Sequence, residues 1–199
     1  MTNSIKFLKI REVISPSRAH ATDAGIDFFV PVFTEEFMRD LENKNPWLPS
    51  ESWVPYNLFV IPPHQKALIP SGIKCKMSES SRALIAFNKS GIASKLGLIA
   101  GSCVVDYEYE GEIHISVINT TDVPVIISEN MKLMQFIEIP IYLSSIEMVD
   151  DEKILFEDLS SRTRGTSGFG DSDNVIDFRV LSEPHHLCNL QDGTSDLRD

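Results

Sequence analysis

Apolar residues in this chain come in short bursts rather than long faces. Between residues 5 and 146, runs at 26–32, 66–69, 73–77, 83–87, 112–118, 123–127 and 133–139 are rich in Val, Ile and Phe. Turn formers stand between them: Pro62-Pro63, Ser71-Gly72, Ser90-Gly91, Gly97, Gly101, Gly111 and Asn130. Many short β-type runs at such spacing predict an antiparallel sandwich or barrel and not alternating βα units. One segment breaks the rhythm. Phe33, Phe37 and Leu41 recur at helical spacing across 34–43, with Thr34 as N-cap ahead of Glu35 and Glu36. Pro46, Pro49 and Pro55, with Trp47 and Trp53, then give irregular chain to about Tyr56. The segment 33–57 therefore reads as an insertion on the barrel surface, its aromatics used for packing. Beyond Asp150 the strand pattern fades. Residues 160–173 are rich in Gly and Ser, and the polar segment after them holds one apolar cluster, Val175, Ile176, Phe178, Val180 and Leu181. The expected organisation is a β-barrel over 1–150, an arm over 151–173 and a polar tail over 174–199.

Charge changes this picture in one respect. The 199 residues hold 29 Asp and Glu against 18 Lys and Arg, a net −11. Residues 147–199 alone hold 13 acids and 5 bases, net −8. Such acidity argues against a nucleic-acid partner, which requires Lys and Arg to neutralise phosphates, and against anionic membrane surfaces. No apolar run approaches the roughly 18 residues of a membrane span, and the N-terminus has no signal-peptide pattern. Cys75, Cys103 and Cys188 are too few and too scattered for a disulfide framework or zinc site, so a reducing cytosol is expected.

Four glycine-bearing clusters are candidates for chemistry. Asp23-Ala24-Gly25-Ile26-Asp27-Phe28 is a turn running into a strand. Asn88-Lys89-Ser90-Gly91-Ile92-Ala93 sets a cation, a hydroxyl and flexible backbone side by side, a group able to cradle phosphate or simply to end a strand. In the third, 97–111, Asp106 follows Val104 and Val105, while Glu108, Glu110 and Glu112 recur at period two beyond it. A strand-turn-strand unit would give those glutamates a shared solvated face and leave Asp106 at the inner edge, placed to orient or deprotonate a water. The fourth, Arg164-Gly165-Thr166-Ser167-Gly168-Phe169-Gly170-Asp171-Ser172, surrounds an aromatic with glycines. That is poor core material, but it suits a loop closing a ring over a flat ligand with Arg164 reaching phosphate.

Together the clusters resemble one family, the homotrimeric deoxyuridine triphosphatases (dUTPases), whose five motifs occur in this order. The segment 131–137, with Gln135, looks like the fourth motif. The resemblance implies an all-β, distorted jelly-roll barrel with a short helical insertion and a C-terminal arm, assembled as a trimer with active sites at subunit junctions. It implies hydrolysis of dUTP to dUMP and pyrophosphate with Mg²⁺. On that resemblance Asp106 would activate the attacking water and Asp27 would hold Mg²⁺ through water. Tyr109 would pack on the deoxyribose. Backbone at Ser102, Cys103, Val104, Val105, Ile113 and His114 would read uracil, and Phe169 would cap it. Lys89, Ser90, Gly91, Gln135, Arg164, Gly168 and Ser172 would hold phosphates. Departures from the family pattern are Asn88-Lys89 for Pro-Arg, Cys103 and Ser167 for glycine, and the acids Asp171 and Asp173 in the arm.

Two other readings compete with this one. A dCTP deaminase relative would need a glutamate where Ser116 stands. A dUTPase-like binding or regulatory module would keep the fold with weak or lost catalysis. His185, His186 and Cys188 lie in a polar tail without a second ligand pair and do not make a metal site.

Overall fold

The computed structural model describes residues 4–48 and 58–157. Contacts divide the chain into two units, Met1–Ser144 and Ser145–Asp199. In the first, the strands are β1 (Lys6–Lys9), β2 (Ile26–Phe29), β3 (Leu58–Ile61), β4 (Lys66–Pro70), β5 (Ile73–Lys76) and β6 (Arg82–Asn88). They continue with β7 (Leu98–Ala100), β8 (Val104–Val105), β9 (His114–Asn119), β10 (Val125–Ser128) and β11 (Lys132–Pro140). Helices α1 (Glu35–Lys44) and α2 (Ser90–Leu96) interrupt them. Every pairing is antiparallel, in the orders β1-β5, β3-β10, β2-β11-β6-β8 and β4-β9-β7.

The burial pattern gives the reason. β10 alternates buried and exposed residues, a strand with one face inward, while β2 is buried at all four positions. Phe28 packs on Phe136 with ring centroids 4.4 Å apart and on Phe7 at 5.8 Å, joining β2, β11 and β1 in one core. The seven strand runs expected from the sequence all contain strands.

The insertion begins as expected, and its helix packs deeper than expected. Thr34 caps α1, its hydroxyl accepting from the Phe37 N–H at 3.2 Å, with Glu35 and Glu36 in the first turn. Phe37, Met38 and Leu41 are buried in the main core, and Phe33 stacks on Phe37 at 5.2 Å. Burial of such side chains is worth on the order of 1.5–3 kcal/mol each, so the helix is a wall of the barrel and not an ornament on it. Asn45 ties it to β4: its amide donates to the Leu41 and Leu68 carbonyls at 2.7 and 2.9 Å, and its Oδ1 accepts from the Leu68 N–H at 2.9 Å. The Trp47 indole donates to the Lys66 carbonyl at 2.9 Å. Trp53 and Tyr56 lie outside the described residues.

In the second unit the described residues form α3 (Glu152–Leu155), capped by the Asp151 carboxylate accepting from the Lys153 N–H at 2.8 Å. Ile154 and Leu155 are exposed.

Candidate active site

Strand register builds the first half of the site. β11 lies between β2 and β6, with Gln135 opposite Asp27 on one side and Phe87 on the other, and Met134 opposite Asn88. Asp27, Gln135, Asn88 and Lys89 therefore converge at one sheet end. Gln135 Nε2 donates to the Asn88 carbonyl at 2.8 Å, and Asn88 Oδ1 accepts from the Ala100 N–H at 2.6 Å. Gly25 permits this closeness, since a Cβ there would stand 2.0 Å from Gln135 Oε1. Asp27 is 4% exposed. Its carboxylate pairs with the Lys89 ammonium and, at 3.2 Å, with Lys132. A buried carboxylate requires such company.

Sequence reasoning missed Lys132. Its signal was a lone cation opening the apolar run that contains Gln135. A cavity of about 520 Å³ is lined by Lys89, Lys95 and Lys132 together with Ser90, Gly91 and Gln135. Where the reading of Asn88–Ala93 weighed a strand-end turn, the chain instead coils into α2. The apolar pair Ile92 and Leu96, four residues apart and packed on the core, was the available sign of it.

The second half is a loop between sheets. β8 pairs with β6, whereas β9 pairs with β4 and β7, so 104–119 is not a paired hairpin. A pocket of about 270 Å³ is lined by Ser102, Cys103, Val104, Val105, Asp106, Tyr109, Ile113 and His114, with Leu68, Glu112 and Phe136 behind them. All eight residues expected near base, sugar and water on chain segments 102–114 thus meet at one cavity. Two local expectations fail. Asp106 is exposed and not an inner-edge acid, because the chain leaves β8 at Val105 and turns, the Tyr109 N–H bonding to the Asp106 carbonyl at 3.2 Å. Glu108 and Glu110 are exposed, but Glu112 is not on their face: its side chain is 11% exposed and forms two 3.1 Å contacts to Arg11. A turn ends the period of two, and a distant cation draws the third acid inward.

His114 is half-buried, and its Nε2 is buried with no hydrogen-bond partner among the described residues. Burial, aided by Lys44 and Arg11, holds its pKa below the ordinary histidine value, with Glu112 opposing in part. Ser116 is buried and within 3.4 Å of the Ser102 hydroxyl. The Cys103 thiol is exposed at the pocket, whereas burial pushes the Cys75 thiol up to about 11. Arg164, Gly168, Phe169 and Ser172, with Ser167, Asp171, Asp173, His185, His186 and Cys188, lie outside the described residues.

Among the described residues no three His, Cys, Asp or Glu side chains cluster, and Asp27 is already shared by two lysines.

Fold and cavities together define an antiparallel β-sheet protein with a pocket lined by residues of 102–114 and a separate cavity lined by Lys89, Lys95 and Lys132. The dUTPase family model matches residues 53–173, more than half of the chain. The deoxyuridine 5'-triphosphate nucleotidohydrolase of Shewanella halifaxensis is 31% identical over 116 residues, covering 57% of this chain and 72% of that protein. That of Desulfitobacterium hafniense is 30% identical over 114 residues, covering 56% and 71%. Among solved structures, a mutant Staphylococcus bacteriophage 80alpha dUTPase with dUpNHpp superposes with a TM-score of 0.64 at 19% identity, covering 86% of this chain and 99% of that one. The dUTPase of phage phi11 of S. aureus superposes at 0.57 with 20% identity, covering 75% and 97%, and another phi11 structure describes coordination of a structural Mg(II) ion. The chain belongs to the dUTPase family. The family match begins at residue 53, so the segment with Asp27 lies before it.

Proposed function

We propose that the protein is a dUTP diphosphatase, hydrolysing dUTP to dUMP and pyrophosphate. The observation that carries the reading is the 270 Å³ pocket, where an exposed carboxylate, Asp106, stands beside backbone of 102–105 and 113–114 and beside the Tyr109 ring. Uracil's hydrogen-bonding edge is read by backbone groups in this reading, and cytosine leaves them mispaired. Tyr109 packs on the sugar and excludes a 2′-hydroxyl. Asp106 takes a proton from a water as its oxygen bonds to the α-phosphorus, and pyrophosphate departs. Lys89 and Lys132, with Ser90, Gly91 and Gln135, bear the phosphate charge. Magnesium enters this reading only as the nucleotide's counter-ion, outside the chain's own chemistry.

The two cavities share no lining residue. That separation supports a site completed between copies, the base pocket of one subunit facing the lysine cavity of another in a homotrimer; closure by the 151–173 arm rests on the family resemblance alone, with Arg164, Gly168, Phe169 and Ser172 outside the described residues. Free thiols at Cys75 and Cys103 suit a cytosolic setting, and among the described residues no helix is long and apolar enough to cross a membrane. The test is pyrophosphate release from dUTP, dCTP, dTTP and UTP with Mg²⁺. Release from dUTP alone is expected. Release from none of the four would favour a dUTPase-like binding module, and release from dCTP or dTTP at comparable rate would overturn the base-reading assignment.

A further inference from the structure

The segment that lines the base pocket is anchored from outside it. Arg11 follows β1, and its side chain is 11% exposed. Its Nε and Nη2 donate to Glu112 Oε1 and Oε2 at 3.1 Å each, a two-pronged grip on one carboxylate. The same carboxylate accepts from the Gly72 N–H at 2.7 Å. On its far side Arg11 meets α1: Nη2 bonds to Asp40, and Nη1 lies 3.5 Å from Glu36. At its other end, the Glu112 carbonyl accepts from the Tyr109 hydroxyl at 3.1 Å. The Tyr109 ring lies so close to Gly111 that a Cβ there would stand 2.3 Å from its hydroxyl oxygen. One run of contacts thus joins the insertion helix to the tyrosine that faces the sugar.

Three carboxylates around one guanidinium are not an efficient source of stability. Desolvation offsets much of the attraction, and two of the negative charges stay uncompensated within the group. What a forked guanidinium supplies, and an apolar residue could not, is a fixed angle and distance for its partner.

We propose that Arg11 is a positioning residue of the base pocket: α1 holds Arg11, Arg11 holds Glu112, and Glu112 sets where Tyr109 meets the sugar. The proposal rests on the dUTP reading and extends it, assigning part of the discrimination between deoxyribo- and ribonucleotides to a contact outside the pocket. The experiment compares full-chain wild type, Arg11→Gln, Arg11→Lys and Asp40→Asn by kcat/KM for dUTP and for UTP. For Arg11→Gln the dUTP-over-UTP preference should fall about tenfold, mainly through KM for dUTP. Arg11→Lys should recover part of it, and Asp40→Asn should move the ratio about twofold in the same direction. A purely structural role lowers melting temperature and both activities together, leaving the ratio alone. An unmoved ratio in all three variants overturns the proposal. Should Arg11→Gln fail to fold, Asp40→Asn, 38% exposed, decides by the same ratio. Wild type without dUTP turnover would overturn the dUTP reading itself and the proposal with it; wild-type turnover with an unmoved ratio would overturn the proposal alone.

Discussion

One aspartate, Asp27, pairs with two lysines of the lysine-lined cavity, another, Asp106, lines the 102–114 pocket, and the two are built in opposite ways. Asp27 sits mid-strand in β2, 4% exposed, with Lys89 and Lys132 as partners. Asp106 sits on an exposed turn between two sheets, and no salt bridge or side-chain hydrogen bond engages it among the described residues. A buried, paired acid holds structure together and has little freedom to react. An exposed acid at a pocket rim contributes little to folding and is free to take a proton. The comparison separates the two roles: stability should follow the first acid and turnover the second.

The largest stability effect should come from stranding the buried charge. Replacing both Lys89 and Lys132 with Met leaves the Asp27 carboxylate inside without a partner, which should cost roughly 3–5 kcal/mol in urea unfolding. Asp27→Asn should cost less, about 1–2 kcal/mol, because Lys89 and Lys132 are 24% and 44% exposed and can turn to water. Equal losses in the two variants would break the asymmetry.

A smaller effect is expected on the base-pocket side, from His114. Its folded pKa is depressed, so the unfolded chain binds a proton that the folded chain resists. Its neutral form is accommodated above the unfolded value of about 6.5, and stability is lost as pH falls through that value toward the folded one. Melting curves of wild type and His114→Gln from about pH 8 to about pH 5 should show wild type losing stability faster as pH drops. Parallel curves would mean that the imidazole is not held neutral.

What the sequence revealed and what it hid divide along the same line. α1 was legible because its cap, Thr34, and its apolar spacing, Phe33, Phe37 and Leu41, are local. β8 was hidden because two residues, Val104 and Val105, become a strand only by pairing with Leu84 and Ile85. β1, β3 and β7 were likewise missed, each being completed by its antiparallel partner. The glycine clusters pointed to most residues that line both cavities, since close backbone approach leaves a mark in sequence, as at Gly25. The ion pair behind the 102–114 pocket did not. Arg11 and Glu112 are 101 residues apart, and nothing in the period-two pattern of Glu108, Glu110 and Glu112 shows that the third turns inward.

Asp106→Asn is the most direct test, with pyrophosphate release from dUTP, dUTP-analogue binding and melting temperature measured on the same preparation. Turnover should fall on the order of 10²–10⁴-fold, with binding and melting temperature unchanged. A variant that keeps wild-type turnover, or loses it only by unfolding, would contradict the assignment of Asp106 as the group that activates water.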